Sequence, residues 1–198
     1  MTRFTPSRFR QSKLPVIQTS KLHAAQLTSA ASFEGAEAFP PERWRDLKTF
    51  APNILIGPAS ALQRLTERMD LLTLELTSVD HAVFVLTEIG DKPLTDLTRV
   101  VLWQHFGVPV YELYLDSRGA LLASECEAQD GWHVEPGARF FLHNRELMVQ
   151  SAPGGPFRTG LARFLESAPC ACGRSGMRIL DPEVHADEEA FPFLAATA

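Results

Sequence analysis

The sequence has no uninterrupted apolar run of the length needed to cross a bilayer, and its amino terminus lacks the apolar core of a secretory signal. These absences point to a soluble, cytoplasmic protein with no membrane partner. It also lacks any patch of Lys and Arg interleaved with aromatics, and its formal net charge is only -5, so a nucleic-acid partner is not expected. Cysteine is scarce and odd in number: three residues cannot close a disulfide framework, which leaves reduced thiols or metal ligation. There is no Gly-x-Ser-x-Gly elbow, no dinucleotide fingerprint and no His-Glu-x-x-His. The first 33 residues contain Arg3, Arg8, Arg10, Lys13 and Lys21 but no acidic residue. Such a segment reads as a flexible basic tail, with organelle targeting as the other reading.

At 198 residues, the chain is long enough to bury a substantial core. The expected organisation is a tail over 1–33, an α/β subdomain over 34–125, a β-rich region over 126–185 and an acidic-then-apolar tail over 186–198. Within 53–125 the pattern alternates. "NILIGPAS" reads as a strand and turn, and "SALQRLTERMDLL" as a helix with Leu62, Leu65 and Met69 on one face. "HAVFVLTEI" reads as a strand buried on both faces. "LTDLTRVVLWQHFG" reads as a helix presenting Leu94, Leu97 and Val101, with Pro93 near its start and Gly107 at its end. "VPVYELYL" is a third strand. This series predicts an α/β fold with a parallel sheet and right-handed crossovers, whose ligands would lie beyond the carboxyl ends of the strands, near "TEIGDK" and "YLDSRG". After residue 120, short apolar pieces separated by turns such as Asp130-Gly131 predict antiparallel structure.

All three cysteines, Cys126, Cys170 and Cys172, fall in that second region together with His133. Three thiolates and an imidazole could close a four-coordinate structural zinc site. Gly173 would let the backbone turn tightly after the last cysteine and aim amide hydrogens at the sulfurs. On spacing alone an equal reading stands: cysteines as small buried apolar residues and His133 as a hydrogen-bonded strand histidine. His81, His105 and His143 read as structural histidines. Glu88, Asp91 and Asp116 read as loop acids rather than a catalytic cluster.

"ASECEAQDGWHV", the later "FRTG" and "PCACGR", and the upstream "NILIGPASALQRLTE" and "DKPLTDLTRVVLWQHFGVPVYELY" occur in one order. Together they resemble the phenylacetate-CoA ligase branch of the adenylate-forming enzymes, over roughly residues 50–180. The resemblance implies part of the large domain of those enzymes and a zinc ion held by Cys126, His133, Cys170 and Cys172. It also implies nucleotide-site positions, and these are altered. Gly90, Asp91 and Lys92 stand where relatives carry Gly-Gly-Glu. Tyr114, Leu115, Asp116, Ser117 and Arg118 stand where they carry Tyr-Gly-x-[Ser/Thr]-Glu, and an arginine cannot ligate magnesium. Phe157, Arg158, Thr159, Gly160 and Leu161 stand in place of Tyr-Arg-Thr-Gly-Asp, and leucine offers a ribose no acceptor. The phosphate loop and the carboxy-terminal lysine domain of the family have no counterpart. The expectation is a non-catalytic zinc-binding protein on a ligase-like scaffold, acting on a partner protein, through a homodimer, or through a residual acyl or nucleotide ligand. The alternative is one subunit of a split ATP-dependent ligase. A zinc-dependent regulator is a third reading, which four closed ligands disfavour.

Overall fold

The computed structural model describes residues 23–28, 33–72, 74–151 and 155–184. Five strands, β1 (Ala24–Gln26), β2 (Ala36–Ala38), β3 (Ile54–Pro58), β4 (Ala82–Glu88) and β5 (Val110–Leu115), form the parallel part of a nine-stranded sheet. Four more, β6 (Leu121–Ser124), β7 (Trp132–Val134), β11 (Leu161–Glu166) and β12 (Arg178–Val184), continue it antiparallel, in the order β11-β12-β7-β6-β5-β4-β3-β1-β2. A second, three-stranded antiparallel sheet is built from β8 (Ala138–His143), β9 (Glu146–Ser151) and β10 (Phe157–Arg158). The helices are α1 (Leu47–Phe50), α2 (Ala59–Leu72) and α3 (Asp96–Phe106). None of the described helices is long and apolar enough to cross a membrane.

The expected strand, helix, strand, helix, strand series is β3-α2-β4-α3-β5. β4 is buried along almost its whole length and β5 along all of it, as a strand covered on both faces requires. One face of the sheet packs Leu55, Val83, Val85 and Val110 against Leu62 and Leu65 of α2 and Leu102 and Phe106 of α3. The other buries Ile54, Ile56, Phe84, Leu113 and Leu115. Toward the antiparallel end, Tyr114, Trp132, Phe140, Leu147, Leu161 and Ile179 make a third cluster that joins the two sheets.

Three sequence expectations need correction or qualification. Residues 24–26, placed in the basic tail, form β1 between β2 and β3, with Ala24 and Ala25 fully buried. Their small side chains fit a strand covered on both faces, which a charge count does not register. The rest of that tail, including Arg3, Arg8, Arg10, Lys13 and Lys21, and the tail over 186–198 lie outside the described residues. The nine-stranded sheet runs without a break across residue 125, where the sequence suggested a division. Finally, α3 starts and stops as expected: Thr98 N–H donates to the Thr95 hydroxyl at its start, and Gly107 adopts φ +68° at its end. Its core face, however, is Leu102 and Phe106, whereas Leu97 is 75% exposed. The helix is apolar on more than one side, so periodicity alone did not select the buried one.

Candidate metal centre

The order β11-β12-β7-β6 brings four separate ligand positions together. Cys126 follows β6 in a tight turn closed by Gln129 N–H donating to Cys126 C=O at 2.9 Å. His133 lies on β7, opposite Ser124 of β6 and Arg178 of β12. Cys170 and Cys172 sit in the loop between β11 and β12. Gly131, at φ +78°, permits the approach of this end of the sheet, because a Cβ there would lie 2.5 Å from the Ile179 carbonyl oxygen.

The Sγ atoms of Cys126, Cys170 and Cys172 and a ring nitrogen of His133 all lie within 4.8 Å of one another. Cys126 Sγ is 3.7 Å from Cys170 Sγ, and Cys172 Sγ is 3.5 Å from His133 Nε2. With Zn–S near 2.3 Å and Zn–N near 2.0 Å, a tetrahedron has S···S edges of about 3.8 Å and S···N edges of about 3.5 Å. Both separations match, and a disulfide would need a sulfur separation of only about 2.05 Å. Cys126, His133 and Cys170 are buried, whereas Cys172 is partly exposed.

The surroundings of Cys172 and His133 favour the forms that bind a cation, whereas those of Cys126 favour its thiol. Burial pushes the Cys172 thiol up, but the Arg174 N–H, the Arg174 guanidinium and the two neighbouring thiols outweigh it and bring the group down to about 7. Burial lowers the His133 pKa, and the charges of Arg174 and Arg178 lower it further against Glu127 and Asp130, which favours the neutral imidazole. Burial raises Cys126, opposed by the Ala128 N–H. The expected tight turn is present, with Gly173 at φ +81°. The Gly173 amide donates to Cys170 C=O, while the amide aimed at sulfur is that of Arg174, 3.5 Å from Cys172 Sγ. Arg174 also reaches the Glu125 carbonyl. Sequence reasoning passed over this arginine although it closes the "PCACGR" run.

Glu125, next to Cys126, ties the centre to the α/β core. It receives both Arg99 Nη atoms, at 2.8 and 3.0 Å, and the Glu112 N–H at 2.7 Å. Glu112, 2% exposed on β5, accepts from the Thr87 hydroxyl and the Leu94 N–H. Burial raises its pKa to about 7 despite those donors. A carboxyl raised in this way binds its proton more tightly in the folded chain, so its contribution to stability falls as pH rises from about 4.5 to about 7. Glu112→Gln should flatten that decline, gaining about 1–3 kcal/mol over the wild type at pH 8 and little at pH 4.5. Urea unfolding of both proteins in matched buffers measures it, and parallel pH profiles would contradict it.

Several of the positions that the resemblance assigns to a nucleotide make internal contacts, and others are exposed. Gly90 turns at φ +94° beyond β4, Asp91 accepts from Glu88 N–H, and Lys92 is exposed. Tyr114 is fully buried and stacks on Trp132 at 4.9 Å; its hydroxyl has no hydrogen-bonding partner among the described residues. Burial, and then the Asp91 and Glu112 carboxylates, push its phenol well above the usual range. Asp116, 4% exposed, accepts the N–H groups of Arg118 and Ala120 at 2.9 Å on one oxygen and the Arg118 guanidinium at 3.2 Å on the other. Ser117 is exposed. Arg158 pairs with Glu146 at 2.7 Å, the Thr159 hydroxyl donates to Leu147 C=O at 2.6 Å, and Leu161 is 1% exposed in the core. A cavity of about 330 Å³ at the carboxyl ends of β3 and β4 includes Asp91 and Lys92, but none of Tyr114, Asp116, Arg118, Arg158, Thr159 or Leu161 lines it.

No protein-family model matches the chain, and no curated protein does. Solved structures do. A 2-hydroxyisobutyryl-CoA ligase bound to 2-HIB-AMP and CoA in an open conformation superposes with a TM-score of 0.64 at 14% identity, over 79% of this chain and 46% of that one. The chain carries part of the acyl-CoA ligase fold. Coronafacic acid ligase from Pectobacterium brasiliense gives a TM-score of 0.56 at 14% identity over 84% of this chain and 40% of the ligase. An anthranilate CoA ligase in complex with anthranoyl-AMP gives 0.51 at 13% identity over 72% and 34%. The chain therefore spans less than half the length of these adenylate-forming ligases, and identities this low speak for the shared fold alone.

Proposed function

We propose that this chain is a non-catalytic, zinc-bearing relative of the phenylacetate-CoA ligase branch, a pseudoenzyme that acts in the cytoplasm through association or through a residual acyl or nucleotide ligand. The zinc is structural and is held by Cys126, His133, Cys170 and Cys172, a soft donor set within 4.8 Å of one another in which the Cys126–Cys170 and Cys172–His133 separations match a zinc tetrahedron. The observation that carries the non-catalytic reading is the commitment of the nucleotide positions to internal contacts. Asp116 is occupied by Arg118 and by backbone amides, Tyr114 lies beneath Trp132, and Leu161 belongs to the core. A magnesium nucleotide would find neither a free carboxylate at 118 nor an acceptor at 161.

The purified chain, incubated with ATP, magnesium, coenzyme A and a panel of aryl and alkyl carboxylic acids, should form no acyl-CoA and release no AMP. ATP-dependent thioester formation by the isolated chain would overturn the reading. A second reading is favoured by the coverage of less than half of each matched ligase. In it, a partner polypeptide supplies the phosphate loop and the lysine domain of a split enzyme. Nucleotide then binds only in the complex, and Arg118→Glu or Leu161→Asp alters its turnover.

A further inference from the structure

The four donors of the cluster are not equally sheltered. Cys126 is 0% exposed and Cys170 and His133 are 5% exposed, whereas Cys172, in the loop between β11 and β12, is partly exposed. A reagent in solvent therefore meets Cys172 before either of the other sulfurs. Arg174 attends the same atom: its amide lies 3.5 Å from Cys172 Sγ, and its guanidinium hydrogen-bonds to the Cys172 and Cys126 sulfurs. Such donors stabilise negative charge on sulfur or on an oxygen added to it. Behind Cys172, two further sulfurs stand within 4.8 Å. An accessible thiolate with a second thiol in reach is the arrangement that turns oxidation into a reversible disulfide instead of a terminal sulfinate.

We infer that Cys172 is a site of oxidation by hydrogen peroxide and that Cys126 resolves it as a disulfide, so that oxidation empties the metal site reversibly. The inference rests on the reading of the cluster as a zinc site, in which the bound cation holds the sulfurs as thiolates. The Cys172 thiolate attacks one peroxide oxygen; the S–O bond forms, the O–O bond breaks and hydroxide leaves. Sulfur loses two electrons and the peroxide gains them. The resulting sulfenic acid is no longer a thiolate donor, so the set falls from four ligands to three and the site gives up its ion. The Cys126 thiolate then attacks the Cys172 sulfur, the S–O bond breaks and a second hydroxide leaves. Two thiolates and one peroxide become one disulfide and two hydroxides, while Cys170 takes up a proton. Cys170 is the poorer resolving thiol. One residue separates it from Cys172, and the Gly173 amide on the Cys170 carbonyl closes the turn that a bond between them would have to deform. Cys126 comes from the turn after β6, so a bond to it ties the same two segments that the ion ties.

Titration of the full chain with hydrogen peroxide tests this, with released zinc followed by a chromogenic chelator and the products mapped as peptides without reductant. About one zinc should leave for each disulfide formed, and the crosslink should join the Cys126 and Cys172 peptides. Dithiothreitol should restore three thiols and, with added zinc, the loaded site. Dimedone present during oxidation should label Cys172 at least about 10-fold more than Cys126 or Cys170. Zinc retained through the titration, a sulfinate at Cys172 without a disulfide, comparable labelling of the three cysteines, or a crosslink that omits Cys126 or Cys172 overturns the proposal. Zinc content before treatment separates the two readings. A chain purified without metal removes the zinc site and the switch with it, whereas a zinc-loaded chain that peroxide does not empty removes only the switch.

Discussion

Cys170→Ser should abolish stoichiometric zinc binding and lower the melting temperature by about 10–15 °C, on the basis of about 2–4 °C per kcal/mol for a chain of this size and a loss of several kcal/mol. Cys170 is 5% exposed and stands 3.7 Å from Cys126 Sγ, so the substitution removes one corner of the donor set and leaves the others buried together. Without a cation, bringing thiolates this close is repulsive, and the metal-free site must protonate, which raises the cost of the native arrangement. The loss should be local at first. If zinc is bound as proposed, the β11–β12 loop and the turn at Cys126 depend on the ion, whereas β3, β4 and β5 are held by the packing of α2 and α3. Amide exchange should therefore accelerate around residues 126–133 and 170–178 before the parallel strands respond. Elemental analysis, thiol titration with and without chelator, and calorimetry read the effect. A wild type without metal whose three thiols titrate freely, with a Cys170→Ser variant of unchanged melting temperature, would remove the zinc site.

The parallel half of the fold was legible because its signals are local and redundant. Gly57-Pro58 ends β3, Leu62, Leu65 and Met69 share the inner face of α2, Thr95 and Gly107 bracket α3, and β4 is apolar from Ala82 to Leu86. The donor set was legible as a set of residue types but not as a geometry. What brings Cys126 to Cys170 is the return of β11 and β12 beside β7, a pairing more than 40 residues away that no local pattern records. β1 was lost for the opposite reason: three small or polar residues, Ala24, Ala25 and Gln26, carry little hydrophobic signal although the sheet buries all of them. Of Leu94, Leu97 and Val101, Leu94 packs on the core and Val101 is half-buried, but Leu97 is exposed, because α3 carries apolar residues on more than one side and each side satisfies the helical period. Glu112 and Glu125 escaped notice because a carboxylate in a strand reads as solvent-facing until the sheet is seen to close over it.

Those two glutamates also define the second large effect. Glu125→Ala should cost about 3 kcal/mol, since it leaves the Arg99 guanidinium without its bidentate partner and the Glu112 N–H without an acceptor. The Glu125 side chain is only 7% exposed and that of Arg99 20%, so water replaces the lost contacts poorly. If the pair acts as a unit, Arg99→Ala combined with Glu125→Ala costs less than the sum of the single changes by about 1–3 kcal/mol, because neither charge is then stranded. The pH dependence supplies an independent check. The Glu125 charge helps raise the Glu112 pKa and the Arg99 charge opposes that rise. Removing Glu125 should therefore lower the Glu112 pKa and shrink the decline in stability between pH 4.5 and 7, while removing Arg99 alone should enlarge it. Zinc content should stay unchanged in every variant, because Glu125 meets Arg174 of the metal loop through its backbone carbonyl. Additive single changes, or a pH profile unmoved by Glu125→Ala, would mean that Arg99 and Glu125 do not couple the half that carries the Cys/His cluster to the parallel sheet.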